Sequence, residues 1–255
     1  MNNLPNRYFI KFAYNGKNYH GWQMQDNAIT IQSVINDALS KLLGEEINVT
    51  GCGRTDTGVH AKEFYAHFNI KEILNKNDRD NIVFKLNNFL DDSIAIFDIF
   101  PVKPNAHARF DAISRTYQYF IIRQKDPFDN DFSYYVYGDI NIDLMNEGAK
   151  ILYEYEDFTS FSKLHSDVKT NNCKIIDAKW IEKGDKLIFT ITADRFLRNM
   201  VRAIVGTLLD IGKKKINLTD FRKIIESKNR CDAGYSVPAK GLFLTKIKYS
   251  DDIFK

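Results

Sequence analysis

The sequence predicts a mixed helix-and-sheet fold in two halves of similar design. Strand-like stretches with two-residue apolar alternation and helix-like stretches with three- and four-residue spacing occur in both halves. The piece from Pro101 to His107 is a natural boundary, because Pro101 and Pro104 break regular structure. The length also suits one large domain or two small ones: 255 residues, 44% hydrophobic and 27% charged, supply a sizeable core. The division falls between residues 1–104 and 105–255.

In the first half Arg7 to Tyr14 reads as a strand. Thr30 caps a helix in which Ile31, Val34, Ile35, Ala38, Leu39, Leu42 and Leu43 share one face before Gly44 ends it. Ile47 to Thr50 is a short strand. Glu63 to Ile70 is another, with Phe64, Ala66 and Phe68 alternating against Tyr65 and His67. Asp78 to Leu90 is a second helix and Ser93 to Val102 a further strand.

In the second half Ser114 to Arg123, rich in aromatic and β-branched residues, is a long strand, and Ile142 to Tyr153 a helix. Lys174 to Glu182 and Lys186 to Ala193 form a hairpin around Lys183-Gly184-Asp185. A helix follows from Phe196 to Ile211, with Leu197, Met200, Val201, Ile204, Val205, Leu208 and Leu209 at helical spacing, and Leu242 to Tyr249 is a late strand.

No apolar run approaches the roughly 20 residues of a membrane span, and the opening MNNLPNRYFIKF lacks the apolar stretch of a signal peptide, so a cytoplasmic location is expected. The three cysteines, Cys52, Cys173 and Cys231, include no C-x-x-C pair and read as reduced thiols. A net charge of +3 names no partner, although a small total can hide a basic face.

Four places carry chemistry. Arg195, Arg198 and Arg202 recur at three- and four-residue steps and make a positive stripe along the predicted helix, extended by Gly206. The stripe is either a solvated face or an anion-binding surface, and a glycine on it points to close packing. The stretch NAHARFDAISRTYQYF, Asn105 to Phe120, sets His107, Arg109 and Arg115 beside Phe110, Tyr117 and Tyr119, a mixture suited to phosphates and stacked bases. Tyr117 and Tyr119 share one face, so at most one face of that strand meets a ligand. YNGKNYHGWQMQ, Tyr14 to Gln25, is a turn-rich loop or a flexible binding arm.

The fourth place is GCGRTDTGVHA, Gly51 to Ala61. Asp56-Thr57-Gly58 spells an aspartic-protease triplet, but the chain has one such triplet, so two carboxylates would meet only in a homodimer. Arg54 beside Asp56 opposes a shared proton. Two readings remain from the residues alone: an Asx-type turn closed by Asp56, or a single Asp held by arginines and acting on an electron-poor carbon.

Together these places resemble the TruA-type tRNA pseudouridine synthases. GRTDTGVHA is similar to that family's catalytic loop, Tyr14 to Gln25 to its YxGxxYHGWQ segment, and His107 to Tyr119 to its HARFxAxxRxYxY segment. Phe196 to Gly212 is similar to its FLxxMVRxIVGTLLxxG helix, and Val237 to Leu244 to its APxxGLxL stretch. Five segments in family order are specific where one is weak.

The resemblance implies an α+β architecture of two similar lobes with a positively charged cleft between them. It implies isomerisation of uridine to pseudouridine in the anticodon stem-loop, at tRNA positions 38 to 40, without metal or other cofactor. By position Asp56 matches the family's nucleophile, Arg202 the arginine paired with it, and Tyr117 the tyrosine that stacks on the target base and moves a proton. Arg54 matches the arginine associated with base flipping; His60, Arg109, Arg115, Arg195 and Arg198 are the further substrate contacts expected. A homodimer holding one tRNA is implied, with no membrane association and no other protein partner. Met24, where a cation is common, removes one phosphate contact; Thr57, where Ala is common, leaves the chemistry intact.

Overall fold

The computed structural model describes residues 6–163 and 170–254; residues 1–5, part of the stretch weighed above for a signal peptide, lie outside them. The chain is α+β and forms two compact units, Met1–Ile113 with Leu244–Lys255, and Ser114–Phe243. These bounds differ from a division at residue 104, because the turn at 105–113 and most of the last strand go with the first unit.

The elements of the first unit run β1 (Asn6–Tyr14), α1 (Ile31–Leu43), β2 (Thr50–Gly51), β3 (His60–Ile70), α2 (Lys76–Phe89) and β4 (Ile94–Pro101). Strand β1 lies antiparallel between β3 and β4, and β2 pairs with β3. The helix α1 starts where its sequence dictates. The Thr30 side chain accepts the Ser33 N–H while the Ser33 side chain accepts the Thr30 N–H, and Gly44 closes the other end. The short strand is Thr50–Gly51 rather than Ile47–Thr50, because Asn36 of α1 accepts the Val49 N–H and its neighbour Gln32 donates to the Val49 carbonyl, so side chains take the place of a ladder there.

The elements of the second unit run β5 (Ala112–Ile122, in this unit from Ser114), β6 (Tyr134–Tyr135), α3 (Ile142–Ile151), β7 (Ile175–Lys183), β8 (Lys186–Ala193), α4 (Met200–Gly212) and α5 (Leu218–Glu226). The predicted hairpin is β7–β8, turning between Lys183 and Lys186, and β8 pairs antiparallel with β5. The strand β9 (Leu242–Tyr249) then re-enters the first unit beside β3. The short helix α5 escapes the sequence reading, having nine residues of which only Phe221 and Ile225 are buried, although Asn217 and Asp220 form its capping box.

The helix α4 begins at Met200, four residues later than Phe196. Arg195 and Arg198 therefore lie in the loop before it, and the three arginines are not one helical stripe. Asn199, at φ 68°, makes the break. Eleven of the thirteen residues of α4 are buried, which leaves Arg202 and Asp210 as the polar side chains that emerge from an otherwise apolar helix.

Among the described residues no helix is long and apolar enough to cross a membrane. Cys52 and Cys173 are buried thiols and Cys231 is exposed; burial pushes the Cys173 thiol up to about 12.

Candidate active site

The Asp56 loop is clamped from several sides. The β3 strand accepts it first, through Cys52 N–H to the Tyr65 carbonyl at 2.8 Å. The Tyr14 hydroxyl meets Thr55 Oγ1 at 2.8 Å in a buried contact, and the Trp22 N–H reaches the Thr55 carbonyl at 3.1 Å. A backbone bond from Val59 N–H to the Asp56 carbonyl, 3.1 Å, closes the turn. Asp56 is half-buried and Arg54, two residues before it, is exposed.

The stretch from Tyr14 to Gln25 divides in two. Tyr14, Gly16, Tyr19, Gly21 and Trp22 are buried, so this part is a wall of the loop and not a flexible arm. Gly21 sits at φ 86°, and any Cβ there would run into the Thr55 carbonyl and the Asp56–Thr57 backbone. Trp22 packs on Phe64 at 4.4 Å between ring centroids and lies flat against Gly51. The first N–H groups of α1, from Ile31 and Gln32, donate to the Gly21 and Trp22 carbonyls, which satisfies helix donors and fixes the wall together. Lys17, Asn18 and His20 are exposed along it, and the exposed run from Gln23 to Ile29, broken by the half-buried Ala28, includes Met24 and Ile29.

His60 is 1% exposed and accepts the Gly16 N–H on Nδ1 at 3.1 Å. Its placement gives it a part in bracing the loop. Gly21, Trp22 and Gly51 support the site without being predicted for it; the sequence marks the first two through the glycines and tryptophan of YNGKNYHGWQ and Gly51 as the first residue of GCGRTDTGVHA.

The HARF turn belongs to the same unit. Ala106, Ala108 and Ala112 are buried, while Arg109 and Phe110 are exposed. His67, read as an outward residue of β3, is buried instead, because this turn covers it. Its Nδ1 accepts the Ala108 N–H at 3.1 Å, and burial, with Arg7 and His107 nearby, lowers its pKa to about 4.

In the second unit Arg115 and Tyr117 follow one another along β5, opposite Ala193 and Ile191 of β8. Arg115 donates to the Asp194 carbonyl at 2.7 Å. Tyr117 is half-buried with its ring edge-to-face against Phe196 at 5.1 Å. On the same face Tyr119 is fully buried and donates to the Pro238 carbonyl at 2.8 Å; burial drives its pKa far up, so it stays a donor.

Arg202 is aimed by the backbone of the late VPAKGL stretch. Its Nε donates to the Val237 carbonyl at 2.7 Å, and the Val237 N–H returns to the Arg202 carbonyl at 3.2 Å. The close packing expected at Gly206 is found against the Tyr235 carbonyl, where a side chain would collide, and Gly234 donates to the Thr207 hydroxyl at 2.9 Å. Among the described residues no group of three His, Cys, Asp or Glu side chains is placed to hold a metal ion.

Comparison with known proteins places the whole chain. A sequence model of the tRNA pseudouridine synthase family matches residues 154–250. Proteins called tRNA pseudouridine synthase A are similar along nearly their whole length. The one from Parabacteroides distasonis is 51% identical over 97% of this chain and 98% of its own, and that of Azobacteroides pseudotrichonymphae 55% identical over 98% and 99%. The Clostridium acetobutylicum protein is 41% identical over 94% and 98%. A likeness of this degree and extent includes both the Asp56 loop and the Arg202 helix and leaves no place for an aspartic protease: the chain belongs to the tRNA pseudouridine synthase A family of isomerases.

Proposed function

We propose that the chain isomerises uridine to pseudouridine in the anticodon stem-loop of tRNA, with Asp56 as the nucleophile. The reaction conserves atoms: the bond from ribose C1′ to base N1 breaks, a bond from C1′ to C5 forms, C5 loses its proton and N1 gains one. The observation that carries the reading is the braced turn. The loop is held by the Tyr14 hydroxyl on Thr55, the Trp22 N–H on the Thr55 carbonyl, the close approach of Gly21 and the Val59 N–H on the Asp56 carbonyl, which fixes the half-buried Asp56 in place.

In this reading Arg202, aimed by the Val237 carbonyl, orients the Asp56 carboxylate, and Tyr117 stacks on the target base and moves its proton. Arg54 assists extrusion of the base from its stack. Arg109, Arg115, Arg195 and Arg198 meet phosphates, and His60 supports the substrate site by holding Gly16. The unit Met1–Ile113 with Leu244–Lys255 carries the Asp loop, and the unit Ser114–Phe243 carries the stacking tyrosine and the arginines before and on α4. The family resemblance also supports a cytoplasmic homodimer that binds one tRNA.

The test is pseudouridine mapping by chemical labelling of unmodified tRNA after incubation with the protein. Wild type should label the anticodon stem-loop. Asp56→Asn, nearly the same shape, should bind tRNA as wild type and form no detectable pseudouridine. Arg202→Met should lose much of the activity, and the double variant should be no worse than Asp56→Asn alone. An Asp56→Asn protein that still converts uridine would end the assignment.

A further inference from the structure

We propose that Phe110 is a stacking platform for an unpaired nucleobase of the RNA substrate, and that Arg109 takes the phosphate beside that base. The inference rests on the reading of the substrate as RNA. Phe110 is 74% exposed, so burial does not explain it. Nor does looseness, because the turn that presents it is fixed at nearly every residue.

The His107 N–H donates to Asp111 Oδ2 at 2.7 Å, and His107 Nδ1 accepts the N–H groups of Arg109 and Phe110 at 3.1 and 3.3 Å. Arg7 donates to the Ala106 carbonyl at 2.8 Å. Ala108 is held at both ends, by His67 on its N–H and by the buried Tyr249 hydroxyl on its carbonyl at 2.6 Å. This is a rigid mount for an exposed ring.

What surrounds the ring selects the occupant. The Arg109 guanidinium lies over it at 5.6 Å from the centroid, and the His107 ring packs beside it at 4.3 Å. An aromatic face next to a cation is the pairing that single-stranded nucleic acid uses, base on ring and phosphate on guanidinium. Phe128, at 90% exposure, lies in sequence among Asp126, Asp129 and Asp131, carboxylates that repel a phosphate.

The experiment measures affinity of the full chain for unmodified tRNA across a salt series, alongside melting temperature and sedimentation. Phe110→Ala should weaken binding about tenfold, the loss of one base–aromatic stack, and leave the salt slope, the melting temperature and the oligomeric state unchanged. Phe110→Trp should restore affinity, and its indole fluorescence should be quenched on adding tRNA. Arg109→Ala should make the salt slope shallower by about one. Phe110→Ala binding as wild type, or an indole whose emission ignores tRNA, would overturn the proposal. A change of oligomeric state in Phe110→Ala would also overturn it, because the ring would then be covered by a second copy of the chain. If wild type fails to make pseudouridine, the proposed function fails; the platform fails only through Phe110.

Discussion

Single residues decide the geometry around Asp56, and the plainest test is a methyl group. Gly21→Ala forces a positive-φ backbone onto a residue that disfavours it and drives its Cβ into the carbonyl of Thr55. The expected cost is about 3 kcal/mol, read as a lower urea midpoint, with pseudouridine formation falling as the loop shifts. Gly53→Ala, in the same loop but facing open space, should cost little stability. The residues proposed for the chemistry, Asp56, Tyr117 and Arg202, were picked out by the family resemblance of the segments that carry them. Their supports were not. Gly21 and the Val237 carbonyl act through backbone position, which a sequence records only as a glycine or not at all.

Elements were legible where one strip of sequence sets its own period. Helix α1 announces both ends with Thr30 and Gly44, and β9 falls on the residues predicted. The start of α4 was misjudged because Leu197 keeps the apolar spacing of the helix while Asn199 breaks its backbone, so apolar period and helix part company over Arg195–Asn199. His67 was misjudged because alternation assumes one open face, and a distant turn covers that face of β3.

The covering has a pH consequence. With its pKa lowered to about 4 by burial and by Arg7 and His107, His67 remains neutral in the folded protein at pH values where the unfolded chain, near 6.5, binds the proton. Its contribution is therefore complete above pH 6.5 and is lost as pH falls toward 4, a swing of about 3 kcal/mol. His67→Asn, which keeps a short acceptor without the titration, should flatten the loss of stability between pH 6.5 and 4, measured by urea denaturation at each pH.

At the scale of the molecule the net charge of +3 is no guide to RNA binding, since charge acts where it is placed. Arg195 and Arg198, in the loop ahead of α4, are predicted to meet phosphates; tRNA affinity should fall steeply with salt, and replacing either with Ala should make that slope shallower by about one. Salt-insensitive binding would count against both. The long return of β9 bears on how the molecule comes into being. Tyr249 lies 141 residues after Ala108, the residue whose carbonyl it holds. Synthesis proceeds vectorially at about 5–20 residues per second, so the turn bearing Arg109 and Phe110 waits roughly 7 to 28 seconds for its last restraint. If that turn grips RNA as proposed, a chain still growing on the ribosome, surrounded by tRNA, lacks a finished grip on it until Tyr249 has emerged.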